Sequence, residues 1–302
     1  MLPADQPDPT RPDHTEAALW QEDIIADTVP LKLHSVVTGD VPEGLKGTGA
    51  STTERDRIAL GVGLPLSMAM EAPPDRVELC PPGDGRRLTA CQTALRELRA
   101  TSSPIEVSQE ISALLDGPSE IAHQLVHPLL DVEEDAARSF LTEIAMTAQE
   151  ARDDPSGLLG ALIPSMHRGL LTCERLGIDP LPEGGPRPHL AAIDLARAIH
   201  LARLAATLEL LSMEEAWILI RAAGREAAAL YPTWRAFAEA YLVGSTIEHA
   251  ARLEQADAIA AARRADGAVM LELFAQPLSR WVRSPLRPAV RSRRTYGDSL
   301  KF

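Results

Sequence analysis

Beyond residue 53, apolar residues recur every three or four positions through most of the chain, the spacing of helices that bury one face. Residues 53–72 read as a helix broken near Pro65. The Pro- and Gly-punctuated run PPDRVELCPPGDGRR that follows reads as loop, with a short strand at 77–79. Residues 89–100 and 107–115 read as short helices, the second stopped by Asp116-Gly117-Pro118. Ser119 is placed to cap a helix over 120–127. Pro128 then suits a first helical position, and Leu129, Val132, Ala136, Phe140, Ile144 and Thr147 supply the apolar stripe of a helix to about residue 152. Residues 158–176 form another, kinked or started near Pro164.

DPLPEGGPRPH, residues 179–189, is too rich in Pro and Gly to be helical and marks the best internal boundary. Three helices are expected after it, over 190–211, 213–230 and 234–265, the last extended by 269–275. Ser212 with Glu215 makes a capping box at the start of the second, and Thr233 caps the third. Trp234, Phe237, Ala238, Tyr241, Leu242 and Ser245 fall on one seam, which is expected to be core. The chain thus divides into a Pro-rich, partly disordered arm (1–50) with a weak apolar stripe at 15–27, an N-terminal helical region (51–178), the 179–189 connection, a helical module (190–276) and a basic tail (277–302).

One stretch of the module carries charge where oil is expected. DLARAIHLARLAATLELLSMEEAW, from Asp194 to Trp217, is mostly Ala, Leu and Ile, yet contains Asp194, Arg197, His200 and Arg203. Buried charges must be paired. Asp194 lies one turn before Arg197, and Glu214, Glu215, Glu239 and Glu248 sit on the two helices that follow. The expectation is an internal ion-pair network, or else snorkelling to the surface. The sharper alternative, a pocket gripping an anion, is weakened by helical geometry, because Arg203 lies about 120° around the helix from Arg197.

These residues also carry a resemblance. The elements D194-L-A-R197, Arg203, E214-E215-A216-W217, T233-W234 and Y241-L-V-G244 resemble the bacterial family catalogued as domain of unknown function 1266 over about residues 190–248. His200 stands where that family has Asn, and Thr233 where Ser is common. The resemblance implies a helical fold whose core signature includes Trp217, Trp234, Tyr241 and Gly244, with a buried polar network at Asp194, Arg197, His200, Arg203, Glu214 and Glu215. It implies no activity.

Other candidate chemistry is thin. Glu120, His123 and His127 share a helical face with metal-ligand spacing, but Gln124 stands where a zinc protease has its general base. A histidine at a helix end is more simply explained by the helix dipole. The acidic run DVEED (131–135) suits a helix start, Asp153-Asp154 lacks the second motif of a magnesium site, and no P-loop, dinucleotide fingerprint or serine elbow occurs. No cofactor is expected.

Composition agrees with a helical reading and bounds the function. Of 302 residues 45% are hydrophobic but only 4% aromatic, which favours close packing through small residues in an all-α bundle of orthogonal helices over a sheet. Three cysteines without CxxC spacing fit a reducing cytoplasm, and no run is long and apolar enough to span a bilayer. The net charge is −13, yet the tail from 277 carries about +6, so the body is more acidic still. Nucleic acid is therefore an improbable partner except through the tail between Arg280 and Arg294. The function expected is a protein-interaction or regulatory module, of immunity type for instance, without catalysis; the alternative is an enzyme or small-ligand binder using the Arg/His helix or a metal at His123 and His127.

Overall fold

The computed structural model describes residues 53–68, 70, 72–98, 103–150, 157–180, 187–275, 281, 285 and 286. The expected arm (1–50), its 15–27 stripe and most of the basic tail lie outside these residues. The protein is all-α: eleven α-helices and no strand occur among the described residues. They are α1 (Glu54–Val62), α2 (Leu64–Met68), α3 (Gly85–Glu97), α4 (Pro104–Leu115), α5 (Pro118–Val126), α6 (Glu134–Glu150), α7 (Leu158–Leu176), α8 (Ala191–Thr207), α9 (Met213–Leu230), α10 (Trp234–Arg252) and α11 (Ala256–Ala275).

α8 is the axis around which the others pack. It touches α1 through α5 as well as α9 and α10. Accordingly every residue from Ala191 to Ala206 except Arg197 is buried, the signature of a helix that is apolar all round and enclosed. α10 crosses both α8 and α7, α11 packs on α10, and α6 packs on α7. The helices approach closely because small residues sit at the crossings. A Cβ added at Gly169 of α7 would lie 2.2 Å from the Ile247 carbonyl oxygen of α10. α7 ends at Gly177, whose φ of 65° lets the Ile178 amide reach back to Cys173 O at 2.9 Å.

Local signals set several ends. The capping box at the start of α9 forms as expected, with Glu215 N donating to Ser212 Oγ at 3.2 Å and Ser212 N to Glu215 Oε2 at 2.8 Å. Thr233 Oγ1 accepts from Ala236 N at 3.1 Å at the start of α10. The helix over 53–72 breaks at Gly63, which places Pro65 in the first turn of α2.

Four expectations are corrected. The 77–79 segment is loop: Val77 and Leu79 are buried, and Leu79 N donates to Thr207 Oγ1 on α8 at 2.8 Å, so a side chain takes the place of a neighbouring strand. Ser119 does not cap α5. Gly117 holds that position in the left-handed conformation, with Pro118 first in the helix. The apolar face of α6 is rotated, because a 3-10 turn (His127–Leu129) intervenes before the helix begins at Glu134. Ala137 and Leu141 are buried against α7, while Val132 and Phe140 are 43% and 50% exposed. Finally, the helix expected over 234–265 is two helices, turned at Leu253, which is extended (φ −113°, ψ 124°) and packs against Cys173, Ala250 and Ile259.

The segment beyond α11 also enters the core. Trp281 is buried, stacks on Trp234 with centroids 5.0 Å apart, and donates Nε1–H to Gly61 O at 2.9 Å. Leu286 is fully buried.

Candidate functional site

The four ionisable residues of α8 face different partners, each supplied by another part of the chain. Asp194 is fully buried and accepts two hydrogen bonds from Ser119 at the start of α5, from the amide at 2.8 Å and from the hydroxyl at 2.7 Å. Burial pushes its pKa up to about 7 against the downward pull of those two bonds and of Arg197. Arg197, one turn on, forms an ion pair with Glu248 of α10. Burial alone would lower the guanidinium pKa, but the Glu248 carboxylate holds it above arginine's ordinary range.

His200 points to α2, where its Nδ1 shares a hydrogen bond of 3.3 Å with the buried Ser67 hydroxyl. Burial, helped by the charge of Arg203, drops its pKa to about 3, so the ring is neutral at physiological pH. Arg203 is fully buried and points to the 73–78 loop. Its Nε donates to Val77 O at 3.2 Å and its Nη2 to Pro73 O at 2.5 Å. Burial lowers its pKa to about 10, with Asp75 and Glu78 nearby opposing the fall, so it stays charged at neutral pH. Its Nη1 makes no hydrogen bond among the described residues.

Of the carboxylates named as partners from sequence, only Glu248 meets an arginine of α8. Glu214 and Glu215 are exposed at the start of α9, where Glu215 is engaged in the capping box, and Glu239 pairs with Arg235 on its own helix. The α8 network is therefore assembled from Ser119, Ser67 and loop carbonyls in their place. These contacts span 75 to 133 residues of sequence, and no local pattern announces them.

The aromatic signature residues share the core around α8. Trp217 lies under the Arg221 guanidinium, 5.2 Å from ring centroid to carbon, and Arg221 in turn donates to the buried Asp56 carboxylate at 2.7 Å. Trp234 and Tyr241 are buried, with Phe237 edge-on to Trp234, and Gly244 faces Ile193 of α8.

The three metal candidates, Glu120 and His123 on α5 and His127 just beyond it, do not form one site. Glu120 is buried and accepts from Leu190 N and Gln124 Nε2, both at 2.8 Å, and from Arg187. Burial would raise its pKa, but those partners bring it below the usual carboxylate value. His123 and His127 instead lie ring against ring at a tilt of 32°, centroids 5.2 Å apart. Among the described residues no three His, Cys, Asp or Glu side chains are gathered to hold a metal ion, and no helix is long and apolar enough to cross a membrane.

No curated protein and no solved structure matches the chain. A family model does match, and it extends the sixty-residue resemblance in both directions: it takes in the Ser119 contact to Asp194, the crossing of α7 and α10, and the buried Trp281 and Leu286. The chain belongs to the family described as a protein of unknown function (DUF1266), whose model covers residues 102–286, more than half of its length.

Proposed function

We propose that the chain is a non-catalytic protein-binding module of regulatory or immunity type, which uses a rigid helical body to present an acidic surface to a basic partner. One observation carries the reading: the polar groups of α8 are turned to separate internal partners, Asp194 to Ser119, Arg197 to Glu248, His200 to Ser67 and Arg203 to the carbonyls of Pro73 and Val77. A catalytic constellation needs such groups converging on one reacting atom. Here they lock neighbouring elements onto α8.

Charge then supports the class of partner. At −13 the chain favours encounter with a positively charged surface and disfavours nucleic acid. Buried Cys80, Cys91 and Cys173, none of them in a disulfide although the Cys80 and Cys91 thiols hydrogen-bond each other, fit a reducing compartment such as the cytoplasm. The test is capture by the full-length chain from a native lysate, followed by reconstitution with the purified partner. A basic protein should bind saturably, with an association rate that falls steeply as salt rises. Failure to retain any protein above background across low and raised salt would overturn the reading.

A further inference from the structure

A cavity of about 730 Å³ opens between α6, α7 and the end of α10. Thr172 of α7 lines it and is only 6% exposed. Its hydroxyl makes no hydrogen bond among the described residues, whereas Thr142, Thr207 and Thr246 each donate to the carbonyl one turn earlier, at 2.6 to 2.8 Å. Nor is the oxygen sealed in, as the orphaned nitrogens of His123 and Arg203 are. The small surface left to Thr172 opens into the cavity. Buried polar groups are nearly always satisfied, so a hydroxyl placed in this way marks where a ligand atom would sit.

The helix sets two arginines beside that hydroxyl. Arg168, Thr172 and Arg175 all line the cavity, and their spacing puts them within about 60° of arc on one face of α7, over about 10 Å of its length. Neither guanidinium pairs with a carboxylate among the described residues, although Glu174 and Glu254 line the same cavity. In a chain of 43 acidic residues against 30 Lys and Arg, this face reverses the prevailing sign. A third arginine of the lining, Arg138 on α6, is engaged with Asp135. Two planar forks flanking a hydroxyl supply donors to three separate oxygens, which suits a tetrahedral phosphate better than a two-oxygen carboxylate. Phosphate alone would leave most of the volume empty, and about 300–1,000 Å³ is the range of pockets for whole small molecules. Glu174 and Glu254 can accept from hydroxyl groups on the rest of such a ligand.

We propose that this cavity binds a sugar phosphate, its phosphate held by Arg168, Arg175 and the Thr172 hydroxyl and its hydroxyl groups donating to Glu174 and Glu254. The site is separate from the α8 network and does not depend on the protein-binding reading. It gives this family member a small-molecule input.

Glucose 6-phosphate is a suitable probe, titrated into the full-length chain by calorimetry at neutral pH and fixed salt, with glucose and sodium sulfate as comparisons. Saturable binding of glucose 6-phosphate is expected, with none of glucose and weaker binding of sulfate. Arg168→Gln with Arg175→Gln, both at exposed positions, should weaken binding by about tenfold or more, equivalent to about 1.4 kcal/mol. Thr172→Val, which keeps the shape and removes the hydroxyl, should weaken it by about tenfold without lowering the Tm of the ligand-free chain, because the hydroxyl bonds nothing there. The proposal fails if glucose 6-phosphate does not saturate, if it binds no tighter than sulfate or glucose, or if the arginine variant binds it as tightly as the parent. It also fails if Thr172→Val melts well below the parent, since the hydroxyl would then serve the fold.

Discussion

His200 can remain in the core only as a neutral ring, and this makes it a source of acid sensitivity. Its pKa is about 3 in the folded chain against 6.5 when free. As pH falls below 6.5 the unfolded chain takes up a proton that the folded chain refuses, so the contribution is complete above 6.5 and is lost progressively toward 3. Asp194 has the opposite sign: with a folded pKa of about 7 against 3.8, its contribution is complete below 3.8 and is lost as pH rises through 7. The two partly cancel between these limits. A His200→Gln variant separates them. Its stability deficit relative to the parent should shrink by on the order of a few kcal/mol as pH falls from neutrality into the acid range, measured by urea unfolding at several pH values. A deficit independent of pH would mean that His200 is not held neutral by burial.

At the scale of elements, the crossing of α7 and α10 is the most demanding contact. Gly169→Ala would bring a methyl group to 2.2 Å from Ile247 O, a backbone atom that cannot step aside without moving α10. Alanine improves helix propensity by about 1 kcal/mol, but overpacking costs about 1–3 kcal/mol, so the variant should melt lower. An unchanged or raised Tm would contradict the crossing. Such contacts also explain what sequence could and could not show. α9 was legible because Ser212 and Glu215 satisfy each other within three residues, and the end of α7 because Gly177 follows a long apolar stripe. The break between α10 and α11 was not, since Leu253-Glu254-Gln255 holds no Gly or Pro, and packing of Leu253 against Cys173 and Ile259 drives the turn. α6 carries two apolar stripes of the same period, and only the presence of α7 selects Ala137 and Leu141 over Ala136 and Phe140. In the site the same division holds. The need for partners at Arg197 and Arg203 is visible in α8 itself, whereas Ser119, Ser67 and the Val77 carbonyl are ordinary residues until the fold brings them there.

Over the whole molecule, α8 acts as a spine whose polar groups fix the placement of what surrounds it. Asp194 fastens α5, Arg197 fastens α10, His200 fastens α2 and Arg203 fastens the 73–78 loop. Trp281 closes the assembly by joining the segment beyond α11 to α1. A core of alanine and leucine alone would pack but would tolerate sliding of one helix along another; directional bonds at four points along one helix remove that freedom. The central claim is that this charge is architectural, and a double-mutant cycle across Arg197 and Glu248 tests it most directly. Arg197→Met and Glu248→Leu should each cost on the order of 2–3 kcal/mol in chemical unfolding, since each leaves a partly buried partner charge unpaired, while the double variant should recover most of the loss. Single variants that keep the parent's stability, or losses that simply add in the double, would contradict it.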